Sequence, residues 1–557
     1  MSILTEKKEQ IYLAIVNALK LAKAKRQLDF KELPNFTLEI SREKTHGDFA
    51  TNVAFLLSKE NRMAPRQIAQ IIFDNFANIQ QCLEKIEIAG AGFINFYIGT
   101  AWLYEVLPQV IKEDNRYGCS DFGQGKRIQV EFVSANPTGV LHMGNARGAA
   151  LGDILCNVLE AAGYDVTREF YINDAGNQIE NLGKSLEARY LQLLGQDSDF
   201  PEEGYHGEDI IETVKNIIAE DGDKYLQIET ELRREFLIQK ALEEKLNNIK
   251  RDLTRFGVEY DIWFSEQSLH DSGAITQTIQ ELQKKGLVYE KEGALWFKAT
   301  ESGEEKDEVI VRSNGLATYF AADIAYHRNK FERGFEKVIN IWGADHHGHV
   351  TRMKGAMEAL GYNPDNLHVI LMQLVRLFRG GEIVRMSKRS GQYITLSELI
   401  DEVGRDAARF FFVMRSPDSH LEFDLDLAKK ESADNPVYYV QYAHARINSI
   451  LLASPERPAQ PEEVDFTLLK EEAELALIRK IAEFPDEIEG VALSYEPHHL
   501  TQYAHELASL FHSFYNSCRV LTDEQDLRKA RLYLVNAARI TLRNLLLVLG
   551  VNAPEKM

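Results

Sequence analysis

Between residues 128 and 172 the pattern of the chain allows few folds. An apolar run at 128–133 ends in a proline- and glycine-bearing stretch, 137–145, which feeds a helical pattern over 146–159 and a second apolar run over 166–172. Strand, glycine-bearing loop, helix and strand in that order form a βαβ unit, which builds a parallel sheet covered by helices. Strand patterns at 337–342 and 368–374, with helical segments between, extend the same sheet. The expected fold class is therefore multidomain α/β around a doubly wound, Rossmann-like domain.

The rest of the chain is organised around that sheet. Its 557 residues exceed one ordinary core, so roughly three or four domains are expected. Ile11, Ile15, Ala18, Leu19 and Leu21 recur at near-helical spacing, and a second helix starts near Pro65 with Ile68, Ile71 and Ile72. The chain breaks at Gly47, and residues 86–98, interrupted by Gly90 and Gly92, read as one or two strands. These features define a small α+β domain over 1–115, followed by a turn-rich linker at 117–126. Within a catalytic domain at 116–380, residues 180–252 are charged and helical with a loop at 201–207, as for an insertion between two halves of the sheet. Residues 381–431 read as a mobile loop and a connecting region. From 432 to 557 strand signals vanish and apolar residues recur at helical spacing, which gives an all-α domain with a loop at 454–463.

Composition excludes several classes. No apolar stretch is long enough to span a bilayer, and the start runs into an amphipathic pattern without a signal-peptide core, so a cytoplasmic protein with no membrane partner is expected. Cys82, Cys119, Cys156 and Cys518 are dispersed, which indicates neither a disulfide framework nor a thiolate zinc site. A formal charge of −21 argues against a surface coated with nucleic acid but permits a local basic track, such as Lys20, Lys23, Lys25 and Arg26, equally a solvated helix face.

Two short motifs carry chemistry. Leu141-His142-Met143-Gly144-Asn145 closes the loop that feeds the helix, where free backbone N–H groups and the helix dipole favour phosphate. His142 and Asn145 can donate hydrogen bonds to phosphoryl oxygens, and Gly139 and Gly144 permit close backbone approach. Taken alone, the same string caps a helix. Far downstream, Gly380-Gly381 makes a tight turn before Arg385-Met386-Ser387-Lys388-Arg389-Ser390-Gly391, a cationic loop whose small residues permit motion. A lysine in such a loop can follow the α-phosphoryl group as pyrophosphate leaves; alone, three cations in five residues are a solvated loop.

In that order the pair resembles the signatures of class I aminoacyl-tRNA synthetases, and residues 131–148 resemble the first signature of bacterial arginyl-tRNA synthetases. The resemblance implies an ATP site made by His142, Gly144, Asn145, Arg385, Met386, Ser387 and Lys388, with His142 and Lys388 catalytic. Asn145 stands where the class signature has a second histidine, and Arg385 where it has the first lysine. By the same resemblance Ser134 and Asn136 border the amino-acid pocket. A guanidinium needs carboxylates with forked acceptors and an aromatic or aliphatic wall. Tyr319 and Asp323, four apart on one helix face, and Glu266, in the segment 260–268, resemble the family residues that contact arginine. By composition alone Tyr319 and Asp323 are an ordinary helix with an exposed acid.

His346, His347 and His349 invite a metal reading, but three histidines within four residues rarely all turn to one ion, so no bound protein metal is expected. The resemblance places Asp345 and His346 in the pocket. It also reaches the chain's ends. Phe49 and Asn52, in the segment 47–52, look like elements that meet the tRNA elbow, although a buried turn phenylalanine is an equal reading. Tyr442, Tyr515 and Met557 resemble anticodon-binding elements, with core packing as the alternative for the tyrosines. The resemblance implies an arginine–tRNA ligase working through an arginyl-adenylate, with ATP and Mg²⁺, L-arginine and cognate tRNA as its partners. Adenylate formation is expected to need tRNA, and a monomer is expected. A synthetase for another amino acid and a noncatalytic tRNA-binding relative are the alternatives.

Overall fold

The computed structural model describes residues 3–40, 46–76, 83–384, 394–454 and 459–557. The first helix, Ile3–Ala24, buries Ile11, Ile15, Ala18 and Leu19 of the residues whose spacing marked it, whereas Leu21 is exposed on its outer face. Strands β1 (Leu38–Ile40), β2 (Phe49–Thr51), β3 (Lys85–Ala89) and β4 (Phe93–Tyr97) pair antiparallel in the order β1-β2-β4-β3. Helices Val53–Asn61 and Pro65–Asp74 connect β2 to β3; the first escaped the sequence reading because its buried positions, Val53, Ala54 and Leu57, cover barely two turns. The next helix, Ala101–Glu113, packs on the C-terminal helices, with the Tyr104 hydroxyl donating to the Leu469 carbonyl at 3.0 Å. Tyr117 follows suit, donating to the Ile481 carbonyl at 2.7 Å, so the turn-rich stretch is docked to the helical domain at its start.

The central sheet comprises β5 (Arg127–Glu131), β6 (Asp165–Ile172) and β7 (Ile262–Ser265), then, after a small antiparallel sheet of β8 (Val288–Lys291), β9 (Ala294–Phe297) and β10 (Glu308–Val311), the strands β11 (Lys337–Gly343) and β12 (Leu367–Met372). Its order is β12-β11-β5-β6-β7, parallel throughout. The chain leaves β5 in one direction and returns on its other side with β11, so the crevice between β5 and β11 is the topological switch point where ligands bind in such sheets. Helix Met143–Ala161 lies so close to β5's continuation that a β-carbon at Gly152 would sit 2.2 Å from Phe132 Cγ, which only glycine avoids.

The helical insertion is displaced from its expected place. Helices Asn177–Leu193, Glu208–Asp221 and Thr230–Arg255 form the crossover between adjacent strands β6 and β7, around their own core of Leu182, Tyr190, Ile210 and Leu237. The halves of the sheet are joined instead by residues 266–336, which carry β8–β10. Those strands are four residues long and interrupted by charges such as Glu290, Lys291 and Glu292, too short and polar for alternation to show.

Strands β13 (Val375–Arg379), β14 (Glu382–Ile383) and β15 (Leu421–Asp424) form a sheet in the order β14-β13-β15, which straddles residue 380. Helices Leu396–Val403 and Arg405–Phe412 lie between β14 and β15. Four long helices, Pro436–Ala453, Glu472–Ser494, His498–Ser517 and Gln525–Val548, complete the chain. Arg409, fully buried, joins these parts: it pairs with Asp153 on the sheet helix at 2.5 Å and donates to the carbonyls of Phe256 and Gly257, both at 3.1 Å, and of Leu549 at 3.4 Å. No helix among the described residues is long and apolar enough to cross a membrane.

Candidate active site

The carboxyl ends of the parallel strands all open on one edge, and the chain is strained where it leaves β5. Val133 and Ser134 take φ values of +70° and +42°, a conformation that costs a β-branched residue about 1–3 kcal/mol and persists only where surrounding contacts impose it. Those contacts are present: Ser134 Oγ donates to Glu131 Oε1 at 2.8 Å and accepts the Tyr171 N–H at 3.2 Å. Asn136 is exposed and donates to Gln178 Oε1 at 2.7 Å, so it faces the insertion helix Asn177–Leu193.

His142 is the N-cap of helix Met143–Ala161. Its Nδ1 accepts the Gly144 N–H at 3.1 Å, which assigns the neutral ring's proton to Nε2. A β-carbon at Gly144 would stand 3.1 Å from His142 Cε1, so glycine keeps the capped ring in place. Asn145 Oδ1 accepts the His142 N–H at 3.0 Å, which gives Asn145 a capping task beside the phosphate contact expected of it. Capping and donation are thus not alternatives for His142: Nδ1 serves the helix and Nε2 carries a donor proton.

The downstream motif is anchored at the same place. Arg385, Met386, Ser387, Lys388 and Arg389 lie outside the described residues, but the chain re-enters at Ile394, and His142 forms a bridge with Thr395 while Leu396 N–H donates to the Leu141 carbonyl at 2.9 Å. Thr395 then caps helix Leu396–Val403 through the Glu398 N–H at 3.1 Å. Arg147, one turn into the signature helix and 1% exposed, holds the flanking segment by donating to the carbonyls of Gln373 at 2.8 Å, Ser416 at 2.9 Å and Ser419 at 3.0 Å. Sequence reasoning missed Arg147, although a charged residue inside an otherwise apolar helix face was a signal for it.

An acidic cluster occupies the β6–β7 side of the edge. Glu266, directly after β7 and 4% exposed, accepts a hydrogen bond from the Tyr171 side chain, and Asp323 and Asp174 are close enough to act on its charge. Burial pushes Glu266 up to about 7, Asp323 and Asp174 add to the rise, and the Tyr171 hydrogen bond opposes it. Asp174 is fixed by Ser265 Oγ at 2.6 Å and the Gln267 N–H at 2.9 Å. Tyr319, the first residue of helix Tyr319–Glu332, is 47% exposed beside Gly176, and Asp323 one turn later meets His349 Nε2 at 3.0 Å. The structure therefore brings Ser134, Glu266, Tyr319 and Asp323 to one edge of the sheet. His346 and His347 are exposed just after β11, and His349, one helical turn from His346, reaches Asp323. Among the described residues the three histidines do not converge on one point suited to an ion.

Behind the cluster runs a buried chain of hydrogen bonds that sequence reasoning missed. His327 Nδ1 donates to the Asp323 carbonyl at 2.8 Å, and its Nε2 accepts from Asn340 Nδ2 at 2.6 Å. Lys330 donates to Asn340 Oδ1 at 2.8 Å and to Glu131 Oε2 at 2.5 Å, and Glu131 is the partner of Ser134. Burial, then the charge of Lys330, push the His327 imidazole well below its ordinary value, so it remains neutral as this pattern requires. The backbone of Asp323 and the side chain of Ser134 are in this way held in one frame.

The residues expected to meet RNA divide. Phe49 is fully buried in β2, so in this conformation its face cannot receive a base; the expectation is corrected in favour of core packing. Asn52 stands at the N-cap of helix Val53–Asn61 with Oδ1 buried. Tyr442 and Tyr515 are half-buried and flank the Arg446 guanidinium, 5.3 Å and 4.6 Å from their ring centres, and Tyr438 continues the row parallel to Tyr442 at 6.2 Å. Met557 is half-exposed.

Comparison with known proteins accounts for all three parts of the chain. Family models described as the arginyl tRNA synthetase N terminal domain, the catalytic domain of tRNA synthetases class I (R) and the DALR anticodon binding domain match residues 9–98, 106–449 and 440–557. The arginine–tRNA ligase of Moorella thermoacetica is 63% identical over 560 residues, covering 100% of both chains, and that of Heliobacterium modesticaldum is 64% identical over 559 residues and 99% of each. The solved Thermus thermophilus arginyl-tRNA synthetase aligns with a TM-score of 0.76 at 25% identity over 99% of this chain and 100% of that one. A Mycobacterium tuberculosis methionyl-tRNA synthetase, 11% identical with a TM-score of 0.54 over 76% of this chain and 91% of that one, shares the fold. With matches of this extent, the chain belongs to the arginyl-tRNA synthetase family of class I aminoacyl-tRNA synthetases, the ligases that join arginine to tRNA.

Proposed function

We propose that this chain performs its family's ligation of L-arginine to cognate tRNA with the following division of labour. The observation that carries it is the convergence of a capped histidine with a donor at Nε2, the anchor of the downstream motif and an acidic cluster around buried Glu266 on one edge of one sheet. ATP, entering with Mg²⁺ as part of the nucleotide substrate, sets its phosphates at the N-terminus of helix Met143–Ala161. The α-carboxylate of arginine attacks the α-phosphorus in line, forming arginyl-adenylate and releasing pyrophosphate. His142 Nε2–H donates to the phosphoryl oxygens as charge accumulates, and Lys388 follows the α-phosphoryl group from the loop 385–391, with Arg385, Met386 and Ser387 beside the nucleotide. Gly144 keeps the backbone open to the phosphates, and Asn145 holds the His142 backbone.

Glu266 and Asp323 take the guanidinium, Tyr319 forms a wall, and Ser134 and Asn136 receive the α-amino end. A 2′-hydroxyl of the tRNA's terminal adenosine then accepts the arginyl group and AMP leaves. Tyr442, Arg446 and Tyr515 form a platform on which anticodon bases stack, with Met557 and Asn52 at the edges of the RNA track. Residues 1–115 serve the tRNA elbow, 116–380 the chemistry, 381–431 the acceptor stem and 432–557 the anticodon. The protein acts as a cytoplasmic monomer; Cys119, Cys156 and Cys518 are free thiols, which suits a reducing compartment.

The test is exchange of labelled pyrophosphate into ATP. Exchange appears when arginine and cognate tRNA are both present and is suppressed at least a hundredfold in Lys388→Ala. Exchange supported equally by another amino acid, or undiminished in that variant, would falsify this assignment of roles.

A further inference from the structure

Two carboxylates face the guanidinium site, and they are held differently. Glu266 is buried and enclosed by its surroundings, with His270 Nε2 3.8 Å from its Oε1. The Asp323 side chain is 36% exposed on the first turns of helix Tyr319–Glu332, where an aspartate carboxylate has several staggered rotamers open to it. One contact selects among them, His349 Nε2 to Asp323 Oδ2 at 3.0 Å. His349 belongs to a different helix, His347–Leu360, which follows β11 and packs against the helix that carries Asp323. Its own ring is 18% exposed and confined by Phe320, edge-on at 5.5 Å, and Trp342 at 5.4 Å.

We propose that His349 is a positioning residue for arginine recognition, which donates from Nε2 to Asp323 Oδ2 and fixes the rotamer in which that carboxylate receives the substrate guanidinium. The inference rests on Asp323 being a guanidinium acceptor. The choice of residue follows from chemistry. A carboxylate offers about four lone-pair directions, so one imidazole bond on Oδ2 leaves Oδ1 and the second Oδ2 lone pair for a forked donor. A lysine or arginine in the same place would bring several donors to Asp323 and occupy the lone pairs that the substrate's forked donor needs. A carboxylate aimed in this way, with lone pairs left over, selects a cation that brings several donors. Preorganisation of this sort is expressed in substrate affinity, because a rotamer not fixed beforehand must be fixed at the moment of binding.

The test is steady-state charging of tRNA by the full chain carrying substitutions at residue 349. For His349→Leu, the expected result is a KM for arginine raised at least tenfold, with the KM values for ATP and tRNA within twofold of the parent protein. His349→Gln, whose amide nitrogen reaches the Nε2 position, returns the arginine KM to within threefold. In an Asp323→Asn background the leucine substitution adds less than twofold, because its effect passes through Asp323. Should His349→Leu fail to fold, His349→Asn, polar but too short to reach Asp323, reads the same loss. The proposal is overturned by an unchanged arginine KM, by equal losses toward arginine and ATP, by failure of glutamine to rescue, or by full additivity with Asp323→Asn. A parent protein that charges another amino acid in place of arginine would instead sink the reading of the whole site, a distinguishable outcome.

Discussion

Leu396 donates its backbone N–H to the Leu141 carbonyl at 2.9 Å, and this bond pins the segment leaving the second signature to the residue that precedes the first signature's histidine. The adjoining bridge between His142 and Thr395 makes the contact a short piece of sheet. Two motifs from distant parts of the chain are thus registered by backbone geometry, which side-chain substitution leaves largely intact.

Cap and donor can be separated at His142. Serine is a good N-cap but carries no group at the position of Nε2. His142→Ser should therefore hold the melting temperature within a few degrees while kcat for arginine-dependent exchange falls about a hundred- to a thousandfold, the usual cost of a lost transition-state donor. Thermal melting and exchange kinetics on the same preparation check both halves.

With Glu266 as the proposed guanidinium acceptor, arginine binding should be sensitive to pH. In the empty site burial raises its pKa to about 7, and the guanidinium needs the ionised form. Below that value protonation competes with the substrate, so the KM for arginine should rise as pH falls, by roughly tenfold between pH 8 and pH 6, and level off above pH 8. Glu266→Gln should bind arginine weakly at every pH and lose this dependence. A KM profile flat from pH 6 to 8 in the parent protein is the contrary result.

Arg409 should be costly to remove. Its guanidinium is fully buried between Asp153 and three carbonyls from two other parts of the chain, although Arg168 remains 3.6 Å from Asp153. Arg409→Met removes this donor from the three carbonyls and leaves Asp153 with Arg168 alone, and breaking a buried pair of this kind costs about 3–5 kcal/mol. The nearby Arg168 places the expected loss toward the lower end. Urea unfolding followed by tryptophan fluorescence and circular dichroism should show a lower midpoint with both probes.

Arg446 links the two tyrosines that sequence reasoning had singled out separately. Arg446→Ala should raise the KM for tRNA at least tenfold with the KM values for arginine and ATP within twofold, and Arg446→Lys should rescue poorly, since a point charge cannot stack between two rings. Equal effects on all three substrates would show a structural role instead.

The legible parts of this chain were those written in local patterns. The βαβ unit, the helical C-terminal domain and the first helix follow from periodicity, because each buries its apolar face in the register that the spacing dictates. The insertion's place was not legible, because strand order is a property of the sheet: no local feature of 180–252 says that β6 and β7 are neighbours. Strands β8–β10 pair mainly through backbone groups and carry charges, so alternation failed there. In the site, Glu266, Tyr319 and Asp323 were reached by resemblance to a family, whereas their supports, Tyr171, Asp174, His327, Lys330 and His349, come from one strand, one loop and two helices. His349 and His346 illustrate the limit, since both follow β11 and only the helix's turn decides which one meets Asp323. Phe49 was open between stacking and core until burial decided it.

The most direct test of the account is the charging of unfractionated tRNA by the full chain with arginine, lysine, ornithine and citrulline supplied singly at equal concentration. Two aimed carboxylates predict ester formation with arginine at a kcat/KM at least a thousandfold above each of the other three, because lysine and ornithine lack the forked donor and citrulline lacks the charge. Comparable charging with lysine or ornithine, or none with arginine, contradicts it.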